Sequence, residues 1–136
     1  MLKKLEEILA SPQQNYACGY VSARDNETIV QFMTALCGAF NLDANSVVGT
    51  DTDARKIGVR FGQEILKTRF PHVPESFEYE GIVLLLDDIG PQFPDVSQAV
   101  LEVLIPAVEE TLRTNRFFST RSNAFRVILS GRYLAQ

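Results

Sequence analysis

The sequence predicts an α/β protein: a parallel sheet of about three strands with flanking helices, arranged in three layers. Residues 82–86 are five consecutive large aliphatic side chains between Gly81 and Asp87, which is typical of a strand buried on both faces of a parallel sheet. Two further short apolar segments, 16–22 and 125–130, are separated from it by segments with helical periodicity. Because strands that alternate with helices imply right-handed crossovers, the sheet should be parallel and layered.

The first two helices and the first strand are predicted from the N-terminal 41 residues. Residues 2–10 have apolar side chains at helical spacing and predict a short helix that ends before Pro12. The strand at 16–22 ends in a turn, in which Asp25 or Asn26 is expected to cap the second helix. The apolar face of that helix is Thr28, Ile29, Phe32, Met33, Leu36, Cys37 and Phe40.

The middle of the chain is predicted to hold one loop, one helix and a second loop. Residues 42–51 are polar and rich in turn-forming residues, and we predict a loop there. A helix follows from about Thr52, although Gly58 and Gly62 each cost roughly 1 kcal/mol relative to alanine. A close approach of this helix to the sheet is one explanation for the two glycines. Residues 70–80, with two prolines, are predicted to be a loop.

The C-terminal third is predicted to contain one helix and the last strand. The helix runs from about residue 95 to residue 114, and Pro106 either kinks it or begins a second helix. A polar loop at 119–123 precedes the strand at 125–130. The inward-facing residues of the helix are predicted to be Val96, Val100, Val103, Leu104, Ala107, Val108, Thr111 and Leu112.

The composition is that of one globular domain. The chain has 136 residues, of which 46% are hydrophobic and 22% are charged, and this length suffices to bury roughly two thirds of the unfolded surface around one core. We therefore predict a single domain over residues 1–136. The sequence contains neither an 18-residue apolar run nor a signal-peptide pattern, so we expect a cytoplasmic protein without a membrane span.

Several enzyme classes lack the residues that their chemistry needs. The two cysteines, Cys18 and Cys37, form neither a disulfide scaffold nor a Cys-x-x-Cys pair. His72, the one histidine, stands between prolines in a predicted loop. A zinc centre and a histidine-dependent catalytic triad are therefore not expected.

Charge is unevenly distributed along the chain, whose net charge is −4. Residues 75–110 include nine acidic residues and no lysine or arginine, whereas residues 111–136 include five arginines and no acid. We interpret the arginines as a solvated helix end and loop. A nucleic-acid-binding patch is the alternative. The arginines are Arg113, Arg116, Arg121, Arg126 and Arg132.

The most informative polar residues are the two aspartates, Asp87 and Asp88, that end the aliphatic strand. Ligands of open α/β sheets bind outside the carboxyl ends of the strands, where two adjacent carboxylates can hold a hydrated Mg²⁺. The alternative is that they are the first polar residues of a loop. Arg132 follows the last strand and can either reach a terminal phosphate or form an ion pair with Asp87, Asp88 or Asp95.

These segments, in this order, resemble the nucleotide-binding core of STAND-class P-loop ATPases, the regulatory switches that include NB-ARC and NACHT proteins. Residues 83–89 look like the family's "LLVLDDV" strand, and residues 127–132 look like the strand that ends in a γ-phosphate-sensing arginine. Residues 19–23 and the helix through 28–40 are similar to its "WVSVS" strand and the following helix. The resemblance implies Asp87, Asp88 and Arg132 as remnants of a nucleotide and magnesium site.

The family's phosphate-binding loop, Gly-x-x-x-x-Gly-Lys-Ser/Thr, does not occur in the 136 residues. Residues 2–9 look like the continuation of the helix that follows this loop. Lys3 and Lys4 lack the glycine-rich backbone cradle that would orient a phosphate-binding lysine. We therefore expect no tight binding of ATP by this chain alone, and only weak binding of Mg²⁺ by Asp87.

The resemblance thus implies a P-loop NTPase-like fold without its first strand, and a non-catalytic regulatory or interaction domain in a signalling or defence assembly. No catalytic residue and no required cofactor are predicted. The partner is expected to be a protein or a second copy, bound through the sheet edge that the missing strand leaves exposed; the alternative is that the chain's own N-terminal segment covers this edge. One alternative is a fragment of a STAND ATPase that binds Mg-ATP through a phosphate loop upstream of Met1. A nucleic-acid-binding adaptor is another.

Overall fold

A computed structural model of the chain describes residues 2–9, 16–70 and 80–130. The loop predicted around His72 and the residues 131–136, with the role predicted for Arg132, lie outside this part of the chain. No helix within the described residues is both long enough and apolar enough to cross a membrane.

The core of the fold is a parallel sheet of three strands, β1 (Tyr16–Ser22), β2 (Gly81–Asp87) and β3 (Phe125–Leu129), in the order β1-β2-β3. Tyr16 pairs with Gly81 and Ser22 with Asp87, so β1 and β2 begin and end together. β3 pairs with the other side of β2 in parallel. The predicted α/β class and the predicted three parallel strands are confirmed.

The helices alternate with the strands as the sequence predicts. One short helix lies within the loop predicted at 42–51, and another overlaps the first two residues of the loop predicted at 119–123. Between α5 and α6, Val100–Leu104 has π-helical hydrogen bonding. The helices are α1 (Leu2–Leu9), α2 (Ile29–Ala39), α3 (Ala44–Val47), α4 (Ala54–Arg69), α5 (Pro94–Ala99), α6 (Ile105–Leu112) and α7 (Arg116–Thr120).

Helices cover both faces of the sheet because side chains of β2 alternate between two cores. Ile82, Leu84 and Leu86 belong to the larger core, which α2, α4, α5 and α6 complete. Val83 and Leu85 point to the opposite face, where α1 packs against β1 and β2. Every residue of β2 except Asp87 is buried.

Short polar side chains cap the N-termini of α2, α3, α4 and α7, whereas α5 and α6 begin without a side-chain cap. Thr28 accepts a hydrogen bond from the Gln31 backbone, and the Gln31 side chain accepts one from the Thr28 backbone. This reciprocal cap makes the prediction of Asp25 or Asn26 as the cap wrong, because it satisfies two backbone N–H groups at once.

The loops predicted at 42–51 and 119–123 are wrong in part. Asp43 accepts a hydrogen bond from the Asn45 N–H and begins α3, and Asn115 accepts one from the Phe117 N–H and begins α7. Both helices are too short to have a hydrophobic period that the sequence could reveal.

Pro106 lies in the first turn of α6, which follows a π-helical stretch, so the alternative in which a second helix begins with Pro106 is confirmed. The Ile105 N–H bonds to the carbonyl of Val100, five residues earlier. This wider turn comes immediately before Pro106, which has no N–H and whose ring would clash with the carbonyl four residues earlier in an α-helix. Val103, predicted to face inward, is 38% exposed because the wider turn changes the angle between successive side chains.

Gly58 and Gly62 lie where α4 contacts α6. A Cβ atom on Gly58 would lie 2.9 Å from the Cβ of Ala107 and 3.0 Å from the carbonyl oxygen of Leu104. On Gly62 it would lie 2.8 Å from the Cβ of Thr111. The glycines therefore permit a close approach between two helices, and the explanation of the two glycines by an approach of α4 to the sheet is wrong.

We predict that Gly58→Ala lowers the free energy of unfolding by about 1–3 kcal/mol, because the added methyl group overpacks the α4–α6 contact. Gly38→Ala in α2 is the matched control, since nothing lies within 4 Å of its added Cβ. The control should be neutral or stabilising by up to about 1 kcal/mol through helix propensity. Urea denaturation of both variants measures the difference, and equal midpoints would contradict the role assigned to Gly58.

Candidate functional site

Asp87 and Asp88, the two acidic residues that the sequence singled out, lie where the carboxyl ends of β1 and β2 meet. Asp87 is the last residue of β2, and Asp88 follows it in a left-handed backbone conformation with φ of 58°. Aspartate tolerates this conformation better than most residues because its short side chain can bond to nearby groups. The turn directs the two carboxylates to different partners on β1 and the segment after it.

Asp87 accepts two hydrogen bonds from the chain itself. The hydroxyl of Tyr20 donates to its Oδ2 at 2.8 Å, and the Asp88 N–H donates to its Oδ1 at 2.9 Å. Tyr20 pairs with Leu85, two residues before Asp87, so Tyr20 and Asp87 share a face of the sheet. Burial, the hydrogen bond to Asp87 and the charges of the nearby aspartates raise the pKa of Tyr20 to about 12.

Asp88 accepts its hydrogen bonds from Ser22 and Arg24. The Ser22 hydroxyl donates to Oδ2 at 2.6 Å, and a guanidinium nitrogen of Arg24 lies 3.3 Å from Oδ1. Ser22 is buried, whereas the Arg24 side chain is 59% exposed. The ion pair is therefore worth little by itself, and the buried serine is the contact that fixes Asp88.

Each of the four carboxylate oxygens of Asp87 and Asp88 thus accepts a hydrogen bond from this chain. Each carboxylate oxygen has two lone pairs, so the hydrogen bond from the Tyr20 hydroxyl or from the Asp88 N–H uses one of the two on its oxygen. The weak binding of Mg²⁺ by Asp87 stays a prediction. In the described ranges, no group of three or more His, Cys, Asp or Glu side chains is placed to hold a metal ion.

The carboxyl end of β3 reaches the same edge. The Ser130 N–H donates to the carbonyl of Leu86 at 2.9 Å, and the Ile89 N–H donates to the carbonyl of Ser130 at 3.1 Å. Arg132 lies outside the described residues, so its role at a phosphate and its ion pair with Asp87, Asp88 or Asp95 both stay predictions. The cation that the structure places beside Asp88 is Arg24.

Sequence reasoning missed Tyr20, Ser22 and Arg24. Tyr20 and Ser22 stand at alternate positions at the end of the first predicted strand, which is a weak signal for a shared face. Their pairing with Asp87 and Asp88 depends on the register between β1 and β2. The sequence gives no independent measure of that register.

Three of the C-terminal arginines contact partners within the chain. Arg113 lies 3.8 Å from Glu109 one helical turn away, and the Arg121 guanidinium lies 4.4 Å from the centre of the Phe117 ring. Arg126 lies 6.0 Å from the centre of the Tyr16 ring. These contacts favour the interpretation of a solvated helix end and loop.

The two cysteines lie apart, on opposite sides of the sheet. Cys37 is buried in the larger core, and Cys18 is half-buried on the face covered by α1. Burial raises the pKa of both thiols to about 11. Both therefore remain in the protonated, weakly nucleophilic form at neutral pH.

No family model matched the chain, and comparisons with curated proteins and with solved structures gave no significant match either. The resemblance to STAND-class ATPases thus rests on the order and spacing of the short motifs. The hydrogen bonding of Asp87 and Asp88 is the structural observation from which a function can be argued.

We predict that Tyr20→Phe lowers the free energy of unfolding at pH 7 by about 1 kcal/mol, because the hydrogen bond to Asp87 is lost. It should also change the alkaline limb of the pH profile. The raised pKa of Tyr20 means that the folded protein retains a proton that the unfolded chain releases above pH 10, so stability falls between about pH 10 and 12. Denaturation of both proteins across this range should show a shallower fall for the variant; parallel curves would contradict the assignment.

Proposed function

We propose that the chain is a non-catalytic, STAND-like regulatory domain that acts by binding protein in a signalling or defence assembly. The observation that carries the proposal is the hydrogen bonding of Asp87 and Asp88. Their carboxylate oxygens accept hydrogen bonds from Tyr20, Ser22, Arg24 and the backbone. The two acids therefore join the ends of β1 and β2, which is a structural role.

A nucleotide hydrolase needs the same carboxylates for a different task. In such a site an acidic group holds the metal ion or orients the attacking water, and it does so together with a glycine-rich loop that binds the phosphates. Here Tyr20 donates directly to Asp87 at 2.8 Å, and the sequence contains no Gly-x-x-x-x-Gly-Lys-Ser/Thr. Both observations support a site that holds the fold together rather than one that turns over nucleotide.

The edge of the sheet supports the interaction part of the proposal. Among the described residues, β3 pairs with β2 and with no other strand. Phe125, Val127, Ile128 and Leu129 are half-buried, whereas the aliphatic residues of β2 are fully buried. A strand with unused backbone hydrogen-bonding groups and apolar side chains on both faces is a surface to which another chain can add.

We predict that isothermal titration with Mg-ATP gives no binding at concentrations up to ~1 mM. The titration is repeated with Asp87→Ala and with Glu110→Ala, an exposed glutamate on α6 that controls for the change in net charge. Circular dichroism confirms that the variants are folded.

Micromolar binding that Asp87→Ala abolishes and Glu110→Ala retains would overturn the proposal in favour of the ATPase alternative. Salt-dependent retention of DNA or RNA in a filter-binding assay would overturn it in favour of the nucleic-acid alternative. The absence of both is the expected result.

A further inference from the structure

Within residues 2–9, 16–70 and 80–130, no strand pairs with the outer edge of β3, and the hydrogen bonds to β2 show which backbone groups point to that edge. The Ile82 N–H donates to the carbonyl of Ala124, and the Ser130 N–H donates to the carbonyl of Leu86. Successive residues of a strand direct their N–H and C=O groups to opposite sides. The even-numbered residues from Ala124 to Ser130 therefore direct these groups toward β2. Phe125, Val127 and Leu129 therefore direct their N–H and C=O groups away from β2, to the outer edge.

The side chains of β3 specify the kind of strand that fits beside it. Phe125, Val127 and Leu129 pack against the larger core, and Ile128 packs against the core under α1. All four are half-buried. A neighbouring strand completes their burial only if it carries apolar side chains on both of its faces, as β3 itself does.

We propose that a second copy of this chain occupies the edge, with β3 of each copy paired antiparallel about a two-fold axis at Val127. This inference deepens the proposed interaction function, on which it rests, by naming the partner. In this register Val127 pairs with its own counterpart, and Phe125 of each copy pairs with Leu129 of the other. All three are residues whose N–H and C=O groups face outward, so every pair is of the hydrogen-bonded type.

The same register places the one exposed charge of β3 favourably. Arg126 lies on the other face of the strand and falls opposite Ile128 of the second copy, so the two arginines do not face each other. Like charges directly opposite would be destabilising. The two-fold axis is perpendicular to the sheet, so the larger cores of both copies lie on the same face of the combined sheet. The strand order of the dimer is β1-β2-β3 followed by β3-β2-β1. Such self-complementary pairing is the usual form of a two-fold interface.

The first test is the mass of the protein in solution. Sedimentation equilibrium of the wild type should give a dimer. Val127→Pro should raise the dimer dissociation constant about tenfold or more, because it removes the central outward N–H and the hydrogen bonds around it. Proline is tolerated on an edge strand whose N–H faces outward, so no bond between β3 and β2 is lost. Val127→Thr, which keeps the N–H and the branched shape, is the matched control and should remain dimeric.

The second test measures the register. In a Cys18→Ser background, Val127→Cys places two thiols on hydrogen-bonded partners with Cα atoms about 5.5 Å apart, within the range for a disulfide. The two Cys residues of the Leu129→Cys variant would be roughly 13 Å apart or more along the strands. Mild oxidation should therefore cross-link the first variant as a dimer and leave the second uncross-linked.

A wild type that is monomeric at all concentrations, a Val127→Pro protein that dimerises as tightly as the wild type, or equal cross-linking of both cysteine variants would each overturn the inference. These outcomes leave the proposed non-catalytic function standing. Conversely, binding of Mg-ATP that depends on Asp87 would overturn the proposed function, whatever the mass of the protein in solution.

Discussion

Burial of β2 on both of its faces is the constraint on which the rest of the structure depends. Its backbone must be hydrogen-bonded on both edges, and β1 and β3 satisfy those groups. Its side chains must be covered on both faces, which requires α1 on one face and the other helices on the opposite one. Over the larger core, α4 packs against α6 so closely that Gly58 has no room for a side chain.

The end of this buried strand concentrates the polar chemistry. When β2 emerges from the core, its first polar residues, Asp87 and Asp88, need donors, and β1 ends beside them with Tyr20 and Ser22. Parallel strands of matched length bring such residues to one edge whatever the later use of the site. The hydrogen bonds that Asp87 and Asp88 accept there join the ends of β1 and β2. The proposed non-catalytic role is based on this structural use of the two acids.

The carboxyl edge of the sheet and the outer edge of β3 differ in how their polar groups are paired. On the carboxyl edge the acidic groups have partners, while on the outer side of β3 the backbone groups of Phe125, Val127 and Leu129 face away from β2. The apolar side chains with which β3 packs in the sheet are also suited to pairing with β3 of a second copy, as proposed above. The proposed interaction between copies uses the same residues that stabilise the fold.

The sequence by itself determined the class of fold, the three strands and the longer helices, because hydrophobic periodicity is local and survives in a single chain. It also placed Asp87 and Asp88 at the carboxyl edge. Only the tertiary structure decided that Tyr20, Ser22 and Arg24 bind these acids, that α4 approaches α6 rather than the sheet, and that Val103 faces outward. Those facts depend on strand register, on helix-to-helix distance and on a π-helical turn, each set by packing between segments distant in the chain or by the backbone's adjustment to Pro106.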